Sequence, residues 1–334
     1  MKQNFIYVPA LAKNEFRCKV PLKNAEQKYI VNGSVQGGKS PFTLEIPAGK
    51  SMDKMLQLIC IRNSDFLEPL SFSETFRFGK GSSGRVLQCS HTFTMDPFKT
   101  DETVKIDLGE DAVVDFFVMQ NEHNGAEHNS TYEIHLAAGA TLNMVFVQLH
   151  GGVISNRIDV HLDGEHSECN LGGLYLTDAK QLMNNHIELV HHVPSCHSNQ
   201  LFKGILQDEG TAKFYGLIKV EYDAQKTEAF QANHNLVLSE KARAFSKPQL
   251  EIYADDVKCS HGSTVGRLNE DELFYMQTRG ISAEEAKVLQ QLAFAYEVLK
   301  AISDEDLRER MLSLVEKRLK GEFAHCRNCS KNCC

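Results

Sequence analysis

Lys258-Cys259-Ser260-His261 places a thiol and an imidazole two residues apart, inside a stretch (251–281) that also holds a strand pattern, a glycine turn and a helix start. Leu250, Ile252 and Tyr253 are apolar ahead of Asp255-Asp256-Val257, which reads as a strand leading into the pair. Strand side chains alternate faces and each residue advances about 3.3 Å, so Cys259 and His261 share one face. A thiolate and a neutral imidazole suit a soft or borderline ion: zinc, ferrous iron or an iron–sulfur unit. Two donors do not close a coordination shell. A metal held here takes further ligands from a partner or keeps open positions. The bland reading of the same residues is a small buried thiol and a satisfied histidine.

Three other constellations offer chemistry. Residues 33–40 satisfy the phosphate-binding pattern G-x-x-x-x-G-K-[ST], with Gly33, Gly38, Lys39 and Ser40 at its fixed positions. That chemistry needs a strand before the loop and a helix after it, so that helix N–H groups face phosphate. Here Pro41 follows and 42–46 alternate like a strand, so a glycine-rich turn is the expectation. His191-His192-Val193-Pro194-Ser195-Cys196-His197 is rich in metal-ligand types, yet Pro194 makes a tight turn with histidines at its edge an equal reading. The C-terminal run His325, Cys326, Cys329, Cys333, Cys334 fits a zinc set or a carrier of iron or sulfur, and equally a group of solvent-facing thiols.

The elements that position these residues are mostly strands. Segments 104–108, 132–136, 142–149, 158–162 and 214–220 alternate apolar and polar residues. A loose repeat of strand, glycine turn and strand recurs around Gly49, Gly109, Gly139, Gly164 and Gly210, at separations of about 25–30 residues or their doubles. That spacing suits one coil of a β-solenoid, with glycine expected where the backbone needs positive φ. A β-sandwich is the competing architecture. Such a stack has two open ends, which must be capped or paired.

At Ser282 the period changes. Ser282 and Glu285 form a capping box, and Ala286, Leu289, Leu292, Ala293, Tyr296 and Leu299 fall close to one helical face. Residues 303–306 read as a break and a new cap. Leu307, Met311, Leu314, Val315 and Leu319 form a second amphipathic helix ending near Gly321. A helical pair after a solenoid serves as its cap or as a docking surface.

The 334 residues carry a net charge of −8, which argues against nucleic acid or an anionic membrane as the main partner. The first sixteen residues lack a signal-peptide core, and no run approaches the ~18 apolar residues of a membrane helix. Ten cysteines without a secretion signal point to reduced thiols or metal ligands and to the cytoplasm.

The run ADDVKCSHGSTVG followed by LFYMQTRGI resembles the hallmark of the SufBD family, the β-helical subunits of the SUF iron–sulfur cluster assembly machinery. The likeness continues upstream through HHVPSCHSNQLFKGIL and KPQLEIYADD and covers 190–299 strongly. The Cys-Ser-His-Gly form at 259–262 resembles the SufD branch, where the SufB branch has a Glu-His-Glu version. Met276 stands where SufB carries a cysteine.

The resemblance implies a right-handed parallel β-helix with a C-terminal α-helical domain: 1–50 leading into the core, 51–281 the β-helix, 282–321 a helical domain for ATPase docking, and 322–334 a Cys-rich tail. It implies a non-catalytic scaffold subunit. His261, with Cys259 beside it, would contribute to a nascent cluster or iron site shared with a SufB-like subunit, and the C-terminal helices would hold a SufC-like ABC ATPase. A transient iron–sulfur cluster or iron is expected at that interface, with nothing tightly bound to the isolated chain. Family members carry a longer helical N-terminal domain, whereas this chain is expected to enter β structure within its first ~50 residues. Two alternatives stand beside this reading. One is a stand-alone metal-dependent β-solenoid enzyme using the His261/Cys259 face, the other a homodimeric adaptor without cluster chemistry.

Overall fold

Strand alternation becomes a stack of parallel coils in a computed structural model that describes residues 22, 24–36, 41–94 and 96–321. The first strands are β1 (Ala25–Val31), β2 (Ser34–Val35), β3 (Phe42–Ile46), β4 (Met55–Asn63), β5 (Leu70–Phe78) and β6 (Ser83–Phe93). The middle of the stack holds β7 (Phe98–Leu108), β8 (Val113–Asn121), β9 (Ala126–Leu136), β10 (Thr141–His150), β11 (Val153–Leu162) and β12 (Glu168–Thr177). It finishes with β13 (Leu182–His191), β14 (His197–Leu206), β15 (Thr211–Val220), β16 (Glu228–Val237), β17 (Arg243–Ile252) and β18 (Lys258–Gly266). Three helices come after them: α1 (Glu270–Thr278), α2 (Ala283–Leu299) and α3 (Glu305–Leu319). The segments expected as strands all lie inside β7, β9, β10, β11 and β15.

From β3 onward the chain alternates between two parallel sheets. The first runs β18-β16-β14-β12-β10-β8-β6-β4-β1-β2 and the second β17-β15-β13-β11-β9-β7-β5-β3. Only β1 and β2 pair antiparallel among the described strands. Glu127 lies beside Val153 and Phe42 beside Glu74, so one coil takes between 26 and 32 residues. This is a parallel β-solenoid of about 8 turns. Its interior is filled by inward side chains of both sheets, among them Phe76, Phe116, Tyr132, Phe146 and Phe202. Fully burying a side chain of this class stabilises by about 1.5–3 kcal/mol.

The corner returning from the second sheet to the first has one residue with φ between 56° and 67° in every coil but the last: Gly49, Gly81, Asp111, Gly139, His166, Ser195 and Lys226. Only three are glycines, which corrects the expected role of Gly109, Gly164 and Gly210. At Gly164 the constraint is close approach, since an added Cβ would sit 1.9 Å from the backbone nitrogen of Ala138 in the preceding coil. At Gly109 the corresponding contact is 2.8 Å from Lys80 N.

The helices lie on the flank of the first sheet rather than over the end of the stack. α2 packs on β12 and β14 and α3 on β10. This buries Phe117, Met119, Val145, Val147, Leu174 and Ile205 beneath Ala295, Val298, Leu299, Leu307, Met311 and Val315. The capping box at Ser282 and Glu285 is present, and Asp304 caps α3. α2 carries apolar residues on every side, interspersed with polar ones, so period alone picked a mixed face. The buried face is Ala286, Gln291, Ala295, Val298 and Leu299, while Leu289, Ala293 and Tyr296 point outward. α1 was not marked by hydrophobic period because none of its residues is buried.

Arg318 fastens α3 to the solenoid. Buried, it pairs with Asp178, donates through Nε to the Leu149 carbonyl at 2.8 Å and reaches Gln181 at 3.2 Å. Replacing it strands a largely buried carboxylate beside a helix seam. Arg318→Ala is expected to cost about 3 kcal/mol or more in denaturant unfolding. A loss under about 1 kcal/mol, the range of exposed pairs, would show that the apolar seam alone holds α3.

Candidate functional site

The stack ends at β18, whose one neighbour in its sheet is β16. Cys259 lies beside Ala229 and His261 beside Gln231, both partners being buried. The pair therefore sits on the inward-facing side of a final, incomplete coil, as strand alternation required. His261 is exposed because no further coil covers it, and Cys259 is half-buried against the main core. Burial raises the Cys259 thiol above its ordinary range, so the side chain is protonated until a metal or a cationic group favours the thiolate. Ser263 donates to Ser246 at 2.7 Å, tying β18 to β17 across the interior. Around this end Phe245, Ile252, Tyr253 and Val265 are exposed. Two strand edges and four apolar side chains thus stand open together.

Three-donor groups of His, Cys, Asp or Glu among the described residues lie elsewhere, at His161/Asp163/His192 and at Cys60/Glu74/Glu102. Cys259 and His261 belong to neither.

The other sequence constellations separate. His191 is buried with Nε2 2.9 Å from Ser198 Oγ, and burial pushes its pKa down to about 3. Cys196 is also buried; Ser167 Oγ donates to its Sγ, which donates in turn to the Gly164 carbonyl, both at 3.3 Å. These two are core groups, whereas His192 turns outward into the His161/Asp163 group. The phosphate-loop pattern is a hairpin where described: Asn32 and Gly33 take positive φ between β1 and β2. Residues 37–40 of that pattern lie outside the described residues, as do Cys326, Cys329, Cys333 and Cys334.

Inside the early coils lies a charged group that no motif announced. His128 sits between Glu122 (2.7 Å at Nδ1) and Glu102 (3.2 Å at Nε2), all three buried. Gln88 Nε2 bridges Glu74 and Glu102 at 2.5 and 2.9 Å, and Cys60 Sγ reaches Glu74 at 3.4 Å. Burial and then the Glu102 charge push the Glu74 carboxyl well above the usual carboxylate range. Burial alone would lower His128, but Glu122 and Glu102 outweigh it and hold the ring well above the histidine range. The native state thus holds protons on Glu74 and His128 more tightly than the unfolded chain does.

A family model, the SUF system FeS cluster assembly SufBD core domain, matches residues 73–294. The match reaches well upstream of 190, because the earlier coils belong to the same repeat. The iron-sulfur cluster assembly protein SufD of Escherichia coli (strain K12) is 38% identical over 196 residues, 59% of this chain and 46% of its own length. An iron-sulfur cluster assembly SufBD family protein of Synechocystis is 32% identical over 69% of this chain and 51% of its own. One of Mycobacterium leprae is 33% identical over 58% of this chain and 51% of its own. The chain spans about half the length of these relatives.

For the buried charges, stability is expected to fall as pH rises above the carboxylate range, because the native state binds the extra protons. Glu74→Gln mimics the protonated acid. Its melting temperature should exceed that of the parent at about pH 8, by a margin worth about 1–3 kcal/mol, and match it near pH 5. An equal effect at both pH values would contradict a protonated Glu74.

Proposed function

The chain belongs to the SufBD family and is SufD-like, and on that basis we propose that it is a scaffold subunit of a cytoplasmic iron–sulfur cluster assembly complex. It pairs with a SufB-like subunit through the open end of the solenoid and holds a SufC-like ATPase on its helices. The observation that carries this reading is the edge strand β18, which brings Cys259 and His261 to the end of the stack where backbone donors and acceptors lack a further coil. An exposed strand edge is a template for pairing with another chain. The apolar residues Phe245, Ile252, Tyr253 and Val265 give that edge the character of an interface core.

In this arrangement the chain turns over no substrate. The partner supplies thiolates, while His261 offers an exposed imidazole and Cys259 a second donor once ionised. The nascent cluster or iron is cargo, assembled between the two edges. Separation of the pair from any third donor among the described residues supports a shared site over the stand-alone enzyme, which needs about three protein ligands within one chain. No helix among the described residues is long and apolar enough to cross a membrane.

ATPase docking is supported by the outer helical surface. Phe274 and Tyr275 of α1 and Leu289 and Tyr296 of α2 are exposed, on the side away from the seam with the solenoid. Nucleotide-driven movement there would be transmitted through α2 and α3 to the flank of the first sheet.

His261→Ala is expected to co-purify with both partners, because an exposed side chain contributes little to the fold, yet to support little cluster assembly in cells that depend on this chain. Full cluster assembly by that variant would refute a ligand role. Leu289→Asp combined with Tyr296→Asp should release the ATPase from an anaerobic pull-down while retaining the SufB-like subunit. Retention of the ATPase would rule out this docking surface.

A further inference from the structure

A column of imidazoles runs along the outer corner of the second sheet, on strands opposite the helix-covered first sheet and away from the open end. His135 on β9 lies beside His161 on β11, and their rings stack at 4.7 Å with planes 10° apart. His192, just past β13, stacks on His161 at 5.3 Å and 13°. Its backbone N–H donates to the Leu162 carbonyl at 3.2 Å, which fixes the height of the third ring.

Asp163 enters from the side. His135 Nδ1 is 2.7 Å from Asp163 Oδ2, His192 Nε2 is 3.8 Å from Oδ1, and His161 Nδ1 is 3.0 Å from His192 Nε2. The donor atoms of His161, Asp163 and His192 lie within 4.8 Å of one another. Stacking the coils thus brings two ring nitrogens and a carboxylate close together.

We propose that His161, Asp163 and His192 form a binding site for a divalent first-row transition ion. Metal–nitrogen bonds of about 2.0–2.1 Å set ligand nitrogens roughly 3–3.4 Å apart, so the 3.0 Å spacing needs little adjustment. Two imidazoles and one carboxylate with open positions is a donor set suited to ferrous iron that also accepts zinc. His135 acts through Asp163: its bond to Oδ2 leaves Oδ1 directed at His192 and orients the carboxylate for the ion. Asp163 is about half exposed and His192 more than a third, so an ion enters from solvent and water completes its shell.

The site is distinct from the edge-strand pair and stands whether or not this chain works as a scaffold. It also gives a place in the molecule to His192, from the His/Cys-rich turn in which His191 and Cys196 are buried core.

The test uses the full chain with Cys326, Cys329, Cys333 and Cys334 changed to serine, which removes those thiols as competing donors. Anaerobic calorimetric titration with Zn2+ should show one ion per chain with micromolar affinity. Titration with Co2+ should give a visible d–d band without the near-ultraviolet charge transfer of thiolate ligation. His161→Ala combined with His192→Ala should abolish the binding with an unchanged circular dichroism spectrum, and His192→Ala alone should weaken it. His135→Ala should weaken it about 10-fold. His261→Ala should leave it unaltered. The proposal falls if the parent binds no ion, if the double variant binds like the parent, or if His261→Ala removes the binding.

Discussion

Each strand of this molecule obtains its ladder hydrogen bonds from the coil before it and the coil after it. That dependence governs the rest of the architecture. Because the pairing is parallel and in near-constant register over 26 to 32 residues, an inward residue in one coil is carried directly above its counterpart in the next. Apolar residues then form continuous rows, and polar ones form rows too. The stack cannot satisfy its own last strand. The end at β17 and β18 is therefore where the fold meets a partner or water, and it is where Cys259 and His261 sit.

The helices give the solenoid two unlike faces. α2 and α3 cover the first sheet with an apolar seam pinned by Arg318, which is why β8, β10 and β12 are buried on both faces. The second sheet keeps its outer face open and carries exposed ion pairs such as Lys99–Glu127 and Lys105–Glu133, each worth little to stability. Its histidine column is of another kind, since three stacked rings and one carboxylate converge rather than pair off. A helix-covered flank, an open end and a free outer face are thus separated on one body.

How much of the fold was legible in the sequence depends on how local each signal is. Strand alternation, the coil repeat and the caps at Ser282 and Asp304 are short-range patterns, and each appears where the spacing placed it. The corner conformation was masked because Asp111, His166, Ser195 and Lys226 adopt it as well as glycine. α2 was assigned a mixed face because Leu289 and Tyr296 are as apolar as the residues that pack. The groups that burial assembles were hidden for another reason. Cys60, Glu74, Glu102 and His128 come from four different strands, and nothing in a linear reading brings them together until the coil period is known. His135, His161 and His192 recur at that period, and a scan for ligand types at 26 to 32 residues would have raised them.

The most direct test of the proposed scaffold role is hydrogen–deuterium exchange across residues 243–266, in the isolated chain and in the presence of a SufB-like subunit. The prediction is fast exchange at the free edges of β17 and β18 in isolation and strong protection in the complex, with the coils from β6 to β14 unchanged. Equal exchange at those edges in both states, with protection appearing on another surface, would contradict pairing through the open end.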